Sequence, residues 1–125
     1  MRVFKTKWFV RFARKERIGD KELCDAVARA ERGLIDADLG GGLIKQRLAR
    51  SGQGKSGGYR SILVFQSGSR SVFAYGFAKN DRDNIDAVEL QAFRQLASLM
   101  LSYDQDALDV AVSRNFLQEV LCNGL

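Results

Sequence analysis

Apolar and charged positions change period several times along this chain, and each change marks an element. From Val3 to Phe12 (VFKTKWFVRF), Phe4, Trp8, Val10 and Phe12 fall at even positions, whereas Lys5, Lys7 and Arg11 fall at odd ones. A period of two predicts a half-buried strand with a basic outer face. After the charged connector ARKERIG, Asp20 reads as an N-cap. Leu23, Ala26, Val27 and Ala30 then recur at helical spacing to about Arg32, with Gly33 as the C′ residue. Residues 34–42 (LIDADLGGG) read as a helical turn followed by a flexible glycine-rich loop. These glycines do not match a phosphate-binding loop, because no GK[ST] follows them.

The second half reads differently. Leu43–Ala49 predicts a short strand with Lys45 and Arg47 on one face and Ile44 and Leu48 on the other. The following SGQGKSGG has no apolar residue to bury and should form a mobile loop carrying Lys55. Tyr59–Phe65 and Ser71–Ala78 are apolar on both faces and flank a polar connection containing Gly68, which predicts a hairpin of central antiparallel strands. Asp86 and Glu89 form a capping-box pattern ahead of a helix to about Ser102, with Leu90, Phe93, Ala97 and Met100 inward. A second helix is predicted from Asp104 towards Leu121, with Leu108, Val112, Phe116 and Val120 along one side. This order predicts an α+β fold in one domain.

Charge adds a direction to this frame. Residues 1–60 carry 15 basic and 7 acidic groups, whereas residues 61–125 carry 5 and 8. A first half at +8 suggests a polyanion as partner. The densest point is Leu43–Arg60, where Lys45, Arg47, Arg50, Lys55 and Arg60 occur with no acidic residue among them. No apolar run approaches the roughly 18 residues of a membrane span, and charge interrupts the N-terminus too often for a secretory segment, so a cytoplasmic location is expected. Cys24 and Cys122 match neither a metal spacing nor a disulfide framework and are expected to be reduced packing residues.

The chain contains no histidine. That excludes Ser-His and Cys-His triads and removes the commonest metal ligand, so neither metal nor cofactor is expected. Asp81 and Asp83, flanking Arg82, read as local charge balance and not as metal ligands.

Three segments carry a family resemblance: LIKQRLAR with its continuation GKSGGYRSILVF, the run VFAYGFAKNDRDNI, and the N-terminal strand and helix. Together they resemble the RelE/ParE superfamily of bacterial toxins, in the RelE or HigB-like branch of type II toxin-antitoxin modules. The resemblance covers about residues 1–102, which implies one RelE-like toxin domain with its core over 1–102 and a C-terminal helical extension over 103–125. It implies a curved antiparallel sheet with an N-terminal helix packed on it and C-terminal helices. It further implies a metal-independent endoribonuclease that cuts mRNA on the ribosome, inhibits translation, and is held inactive by a cognate antitoxin.

Carried over by position, Lys45 and Arg47 match the family's paired basic residues on a strand, and Arg60 matches the arginine after the G-[GS]-Y turn. Lys79 lies in the loop after the last strand, where further basic residues are usual. These four are the catalytic candidates; Arg50, Lys55, Tyr59, Asn80 and Arg82 are the RNA-binding candidates. The chain departs from the best-known pattern at Asn80, where a second arginine is usual, and in lacking a tyrosine within DRDNI.

These residues suit RNA cleavage by the substrate's own 2′-hydroxyl. Arginines at 47 and 60 would neutralise charge on the phosphate oxygens. Lys45, crowded by cations, has its charged form disfavoured and so suits proton transfer. Tyr59 would stack on a base or, with more weight, pack in the core. The rival functions are a ParE-like inhibitor of DNA gyrase and a non-catalytic RNA- or ribosome-binding module.

Overall fold

The computed structural model describes residues 1–49 and 58–123. Its elements are β1 (Arg2–Thr6), α1 (Lys7–Glu16), α2 (Asp20–Glu31), β2 (Ala37–Gly40), β3 (Leu43–Leu48), β4 (Tyr59–Gln66), β5 (Arg70–Ala78), α3 (Ala87–Ser102), α4 (Gln105–Ser113) and β6 (Leu117–Val120). The strands form one sheet in the order β2-β3-β4-β5-β1-β6. Every pairing is antiparallel except β1 with β5. The fold is α+β, as the order of elements predicted.

The first predicted strand is half strand and half helix. It ends at Thr6, whose hydroxyl accepts from the Phe9 amide and caps α1. Phe9 breaks the alternation, and Phe9 with Ala13 supplies the i, i+4 pair that α1 buries. The basic positions read as one strand face therefore divide: Lys7 and Arg11 become exposed helix residues, while Lys5 pairs with Asp20.

Residues 37–40, expected to lie in a helical turn and loop, instead form edge strand β2. The turn that follows needs glycine, since Gly40, Gly41 and Gly42 all have positive φ (81°, 65° and 82°). A Cβ on Gly42 would also lie 2.5 Å from the Leu101 side chain.

The C-terminal expectation also changes. The second helix stops near Ser113, Asn115 adopts φ 61°, and the chain extends into β6 against β1. Leu117 and Val120 are buried from this strand, whereas Phe116 is left exposed. Pairing of β6 with β1 carries Cys122 back to α2, where it forms a disulfide with Cys24 across a Cα–Cα distance of 5.6 Å. This corrects the reading of two separate reduced thiols. A sequence separation of 98 residues gave no sign of the contact, which strand pairing alone creates.

The sheet is covered on both faces, to different extents. On one, α1 and α2 pack over Ile44, Leu48, Tyr59, Leu63 and Phe73. On the other, α3 and α4 pack over Leu43, Ile62, Val64 and Val72 through Ala97, Met100 and Leu108. Packing on the first side is close: a Cβ on Gly76 would lie 2.4 Å from the Phe12 ring.

Candidate active site

Strand parity assigns each side chain of β3 and β4 to a face. Ile44, Gln46 and Leu48 face α2, and Leu43, Lys45 and Arg47 face the α3 side. Gln46, 1% exposed, fixes this parity. Its amide donates to the carbonyls of Ala26 (3.0 Å) and Leu34 (2.9 Å), and its Oε1 accepts from the Asp36 amide (3.2 Å). On β4, Ser61 donates to the Gln46 carbonyl, while Arg60 points to the opposite face.

Register then sets these residues in rows across the sheet. Leu43, Val64 and Val72 are paired in sequence across β3, β4 and β5, and all belong to the core beneath α3. Two residues along each strand, allowing for the irregularity in β4–β5, comes Lys45–Ile62–Tyr75, and then Arg47–Arg60–Phe77. The face is thus apolar under α3 and cationic beyond it on β3 and β4. Arg47 stands directly opposite Arg60, an arrangement of like charges that weakens strand pairing.

Asp36 completes the cluster. Its Oδ2 lies 3.2 Å from Arg60 Nε and 3.8 Å from Lys45 Nζ. The three side chains are 22%, 12% and 16% exposed, respectively, so they sit in a recess that water still reaches. Arg47 is exposed, and its carbonyl accepts from Arg29 Nη2. The expectation that Lys45 is surrounded by cations alone is therefore corrected: an anion lies beside it.

A family model, the RelE toxin of the RelE/RelB toxin-antitoxin system, matches residues 1–120. The chain belongs to the RelE toxin family. It is accordingly a toxin-antitoxin toxin, and the match extends through α4 and β6. No individually curated protein matches it.

The remaining candidates of this RelE-family chain divide. Arg50 and Lys55 lie outside the described residues. Lys79 and Asn80 are exposed in the turn after β5, one step beyond the Tyr59–Ala78 pair, with the Lys79 amide against the Gly58 carbonyl. They share the open end of the sheet with Arg47 and Arg60. Tyr59 is placed elsewhere: it is 1% exposed, faces the α1/α2 core and meets the Phe12 ring edge-on at 5.7 Å. That geometry favours the packing role over base stacking.

Arg82 is also differently employed. Its guanidinium bonds both Glu89 oxygens (2.6 and 3.1 Å), the Tyr75 hydroxyl (3.2 Å) and the Asn84 carbonyl (2.9 Å), and lies over the Phe77 ring. The hydrogen bond with Glu89 raises the Arg82 pKa and holds the Glu89 carboxyl below its ordinary value. Arg82 thereby fastens the β5–α3 connection.

Sequence reading missed Asp36 and Tyr75. Asp36 gave no signal, because only β2–β3 pairing brings residues 36, 45 and 60 together. Tyr75 looked like one more core residue of an apolar strand.

Proposed function

We propose that this RelE-family toxin is a ribosome-dependent endoribonuclease that cleaves mRNA through attack by the RNA's own 2′-hydroxyl. The observation that carries the proposal is the cluster of Lys45, Arg47 and Arg60 on one face of the sheet, with Arg47 exposed and the other two in a recess that water reaches. In this reaction the O2′–P bond forms, the P–O5′ bond breaks, and the product carries a 2′,3′-cyclic phosphate. The 2′-hydroxyl gives up a proton and the departing 5′-oxygen gains one. No external nucleophile is required, so the protein has to align the phosphate, offset its developing charge and move protons.

Arg60 binds the scissile phosphate with two guanidinium N–H groups, and Arg47 opposite it holds a second oxygen or the adjoining phosphate. Lys45, inside the recess, adds positive charge and donates the proton that the departing 5′-oxygen gains. Lys79 and Asn80 contact the RNA backbone at the open end, joined by Arg50 and Lys55 from the segment between β3 and β4. The ribosome presents the message in a bent conformation suited to in-line attack, which accounts for a toxin without a histidine pair. A cognate antitoxin with an acidic or amphipathic segment partly covers the apolar and cationic surfaces in the cytoplasm and suppresses cutting until it is lost.

The test uses purified ribosomes carrying a defined mRNA, with 3′ ends of the products identified chemically. New cuts ending in 2′,3′-cyclic phosphate, lost in Lys45→Ala, support the reading. Intact message contradicts nuclease function. If a gyrase supercoiling assay is then inhibited, the protein acts instead as a ParE-like toxin. Ribosome binding without cleavage identifies a non-catalytic module.

A further inference from the structure

Asp36 is supported from the far side of the sheet. Its amide donates to the Lys45 carbonyl (3.1 Å) and to Oε1 of Gln46 (3.2 Å). Gln46 is itself fully buried and held by the carbonyls of Ala26 and Leu34. A continuous set of hydrogen bonds therefore runs from α2 through Gln46 to the backbone of Asp36, and its carboxylate reaches Arg60 and Lys45 on the other face. The carboxylate contacts Arg60 at Nε. Among the described residues the two terminal Nη nitrogens of Arg60 have no hydrogen-bond or ion-pair partner, so the edge that grips two phosphate oxygens is left for a ligand.

We infer that Asp36 is a positioning residue for RNA cleavage: it holds Arg60 by Nε and Lys45 by Nζ so that both cations meet the scissile phosphate in fixed orientation. This rests on the nuclease reading above. The carboxylate itself stays off the phosphate, because two anions cannot share one face of the guanidinium without loss. A lysine at position 60 would offer a charge with no planar Nε edge to orient, so the part of the function of Asp36 that runs through residue 60 depends on arginine there.

The experiment is a double-mutant cycle of Asp36→Asn and Arg60→Lys, which preserves side-chain size and polarity, with cleavage turnover and affinity for an uncleavable 2′-O-methyl RNA measured separately. Asp36→Asn lowers turnover by about 100-fold, the scale of a misplaced catalytic group. Affinity stays unchanged or rises, because a negative charge has left the site. In the Arg60→Lys background, Asp36→Asn costs clearly less than in wild type, the remainder being its hold on Lys45. Multiplicative losses would overturn the inference and make Asp36 an independent group, such as a proton acceptor. A rise in both turnover and affinity would also overturn it, marking Asp36 as a competitor for the phosphate.

A readout without RNA separates this inference from the nuclease reading. The Arg60 Nε–Hε signal in an NMR spectrum should exchange slowly with water in the wild-type chain and rapidly in Asp36→Asn. Equal exchange in the two proteins overturns the positioning role, whether or not wild type cuts RNA. Failure of the wild type to cut, with the exchange difference present, rejects the nuclease reading alone.

Discussion

Under α3, Arg70 is 7% exposed and donates to the carbonyls of Met100 and Tyr103, closing the C-terminal end of that helix onto the sheet. Arg94 reaches back from α3 to the Leu39 carbonyl, and Arg82 is enclosed by Glu89, Tyr75 and Asn84. At the other end of the same face, in a recess that water reaches, Arg60 is held among the described residues through Nε by Asp36, and Arg47 is exposed directly opposite it. The two regions use the same side chain for opposite purposes. Where the guanidinium hydrogen-bonds carbonyl or carboxylate acceptors on another element, arginine acts as a fastener between elements. Where like charges are paired across strands and terminal N–H groups are left over, the fold carries a local cost that a polyanion would relieve. Partners, more than counts of charge, distinguish a binding surface from a structural one.

The strongest way to break this comparison is to remove one arginine from each region. Arg60→Ala should lower cleavage by about 100- to 1,000-fold, the usual loss on removing a group that stabilises transition-state charge, with thermal unfolding close to wild type. Arg70→Ala should do the reverse. It strands two carbonyls and an inter-element contact and should cost about 2–3 kcal/mol in urea denaturation, with unchanged turnover per folded molecule. Equal effects of the two substitutions on both readouts would dissolve the distinction.

The course of these arginines also explains what could be read in advance. The shared face of Lys45, Arg47 and Arg60 was legible because period-two parity fixes the face of a strand residue without knowledge of its neighbours. Parity likewise separates Tyr59 from Arg60, though both lie in one GGYR run. Arg82 was not legible as a fastener, because Glu89 lies seven residues away across a turn and not at helical spacing within one element. In the N-terminal segment, Phe4–Phe12 fits two periods at once, and the Thr6 cap decided between them. The C-terminal segment followed the same logic: Leu108 and Val112 are helical, but Val120 finds its place by pairing with Val3, a non-local contact that no local pattern encodes.

Smaller effects sharpen the contrast. Arg47→Ala should reduce the slope of log affinity for single-stranded RNA against log salt by about 0.7, the value of one phosphate contact. It should also stabilise the fold by a few tenths of a kcal/mol by relieving its opposition to Arg60, within the range of about 0.2–1 kcal/mol for cross-strand pairs. An unchanged salt slope, measured by fluorescence anisotropy, would place Arg47 outside the RNA path.

The least effect is expected at Glu89. Its folded pKa is held below the ordinary 4.5, chiefly by the hydrogen bond from Arg82. The carboxylate is therefore more favoured in the folded chain than in the unfolded one. Its contribution is fully present above the ordinary value and is lost as pH falls through the depressed one. Amide shifts at the start of α3 should report this loss below pH 4.5, and Glu89→Gln should flatten it. An acid response identical in the two proteins would remove Glu89 as the titrating partner of Arg82.

The central claim is that the cationic cluster of Lys45, Arg47 and Arg60 cuts translated message. It is tested most directly by inducing the chain in bacterial cells under tight control and mapping transcript ends, alongside a Lys45→Ala, Arg60→Ala double variant of equal abundance. The account predicts growth arrest with new cuts inside translated regions for wild type, and neither for the variant. Growth arrest with intact transcripts, or cuts that persist in the double variant, would contradict it.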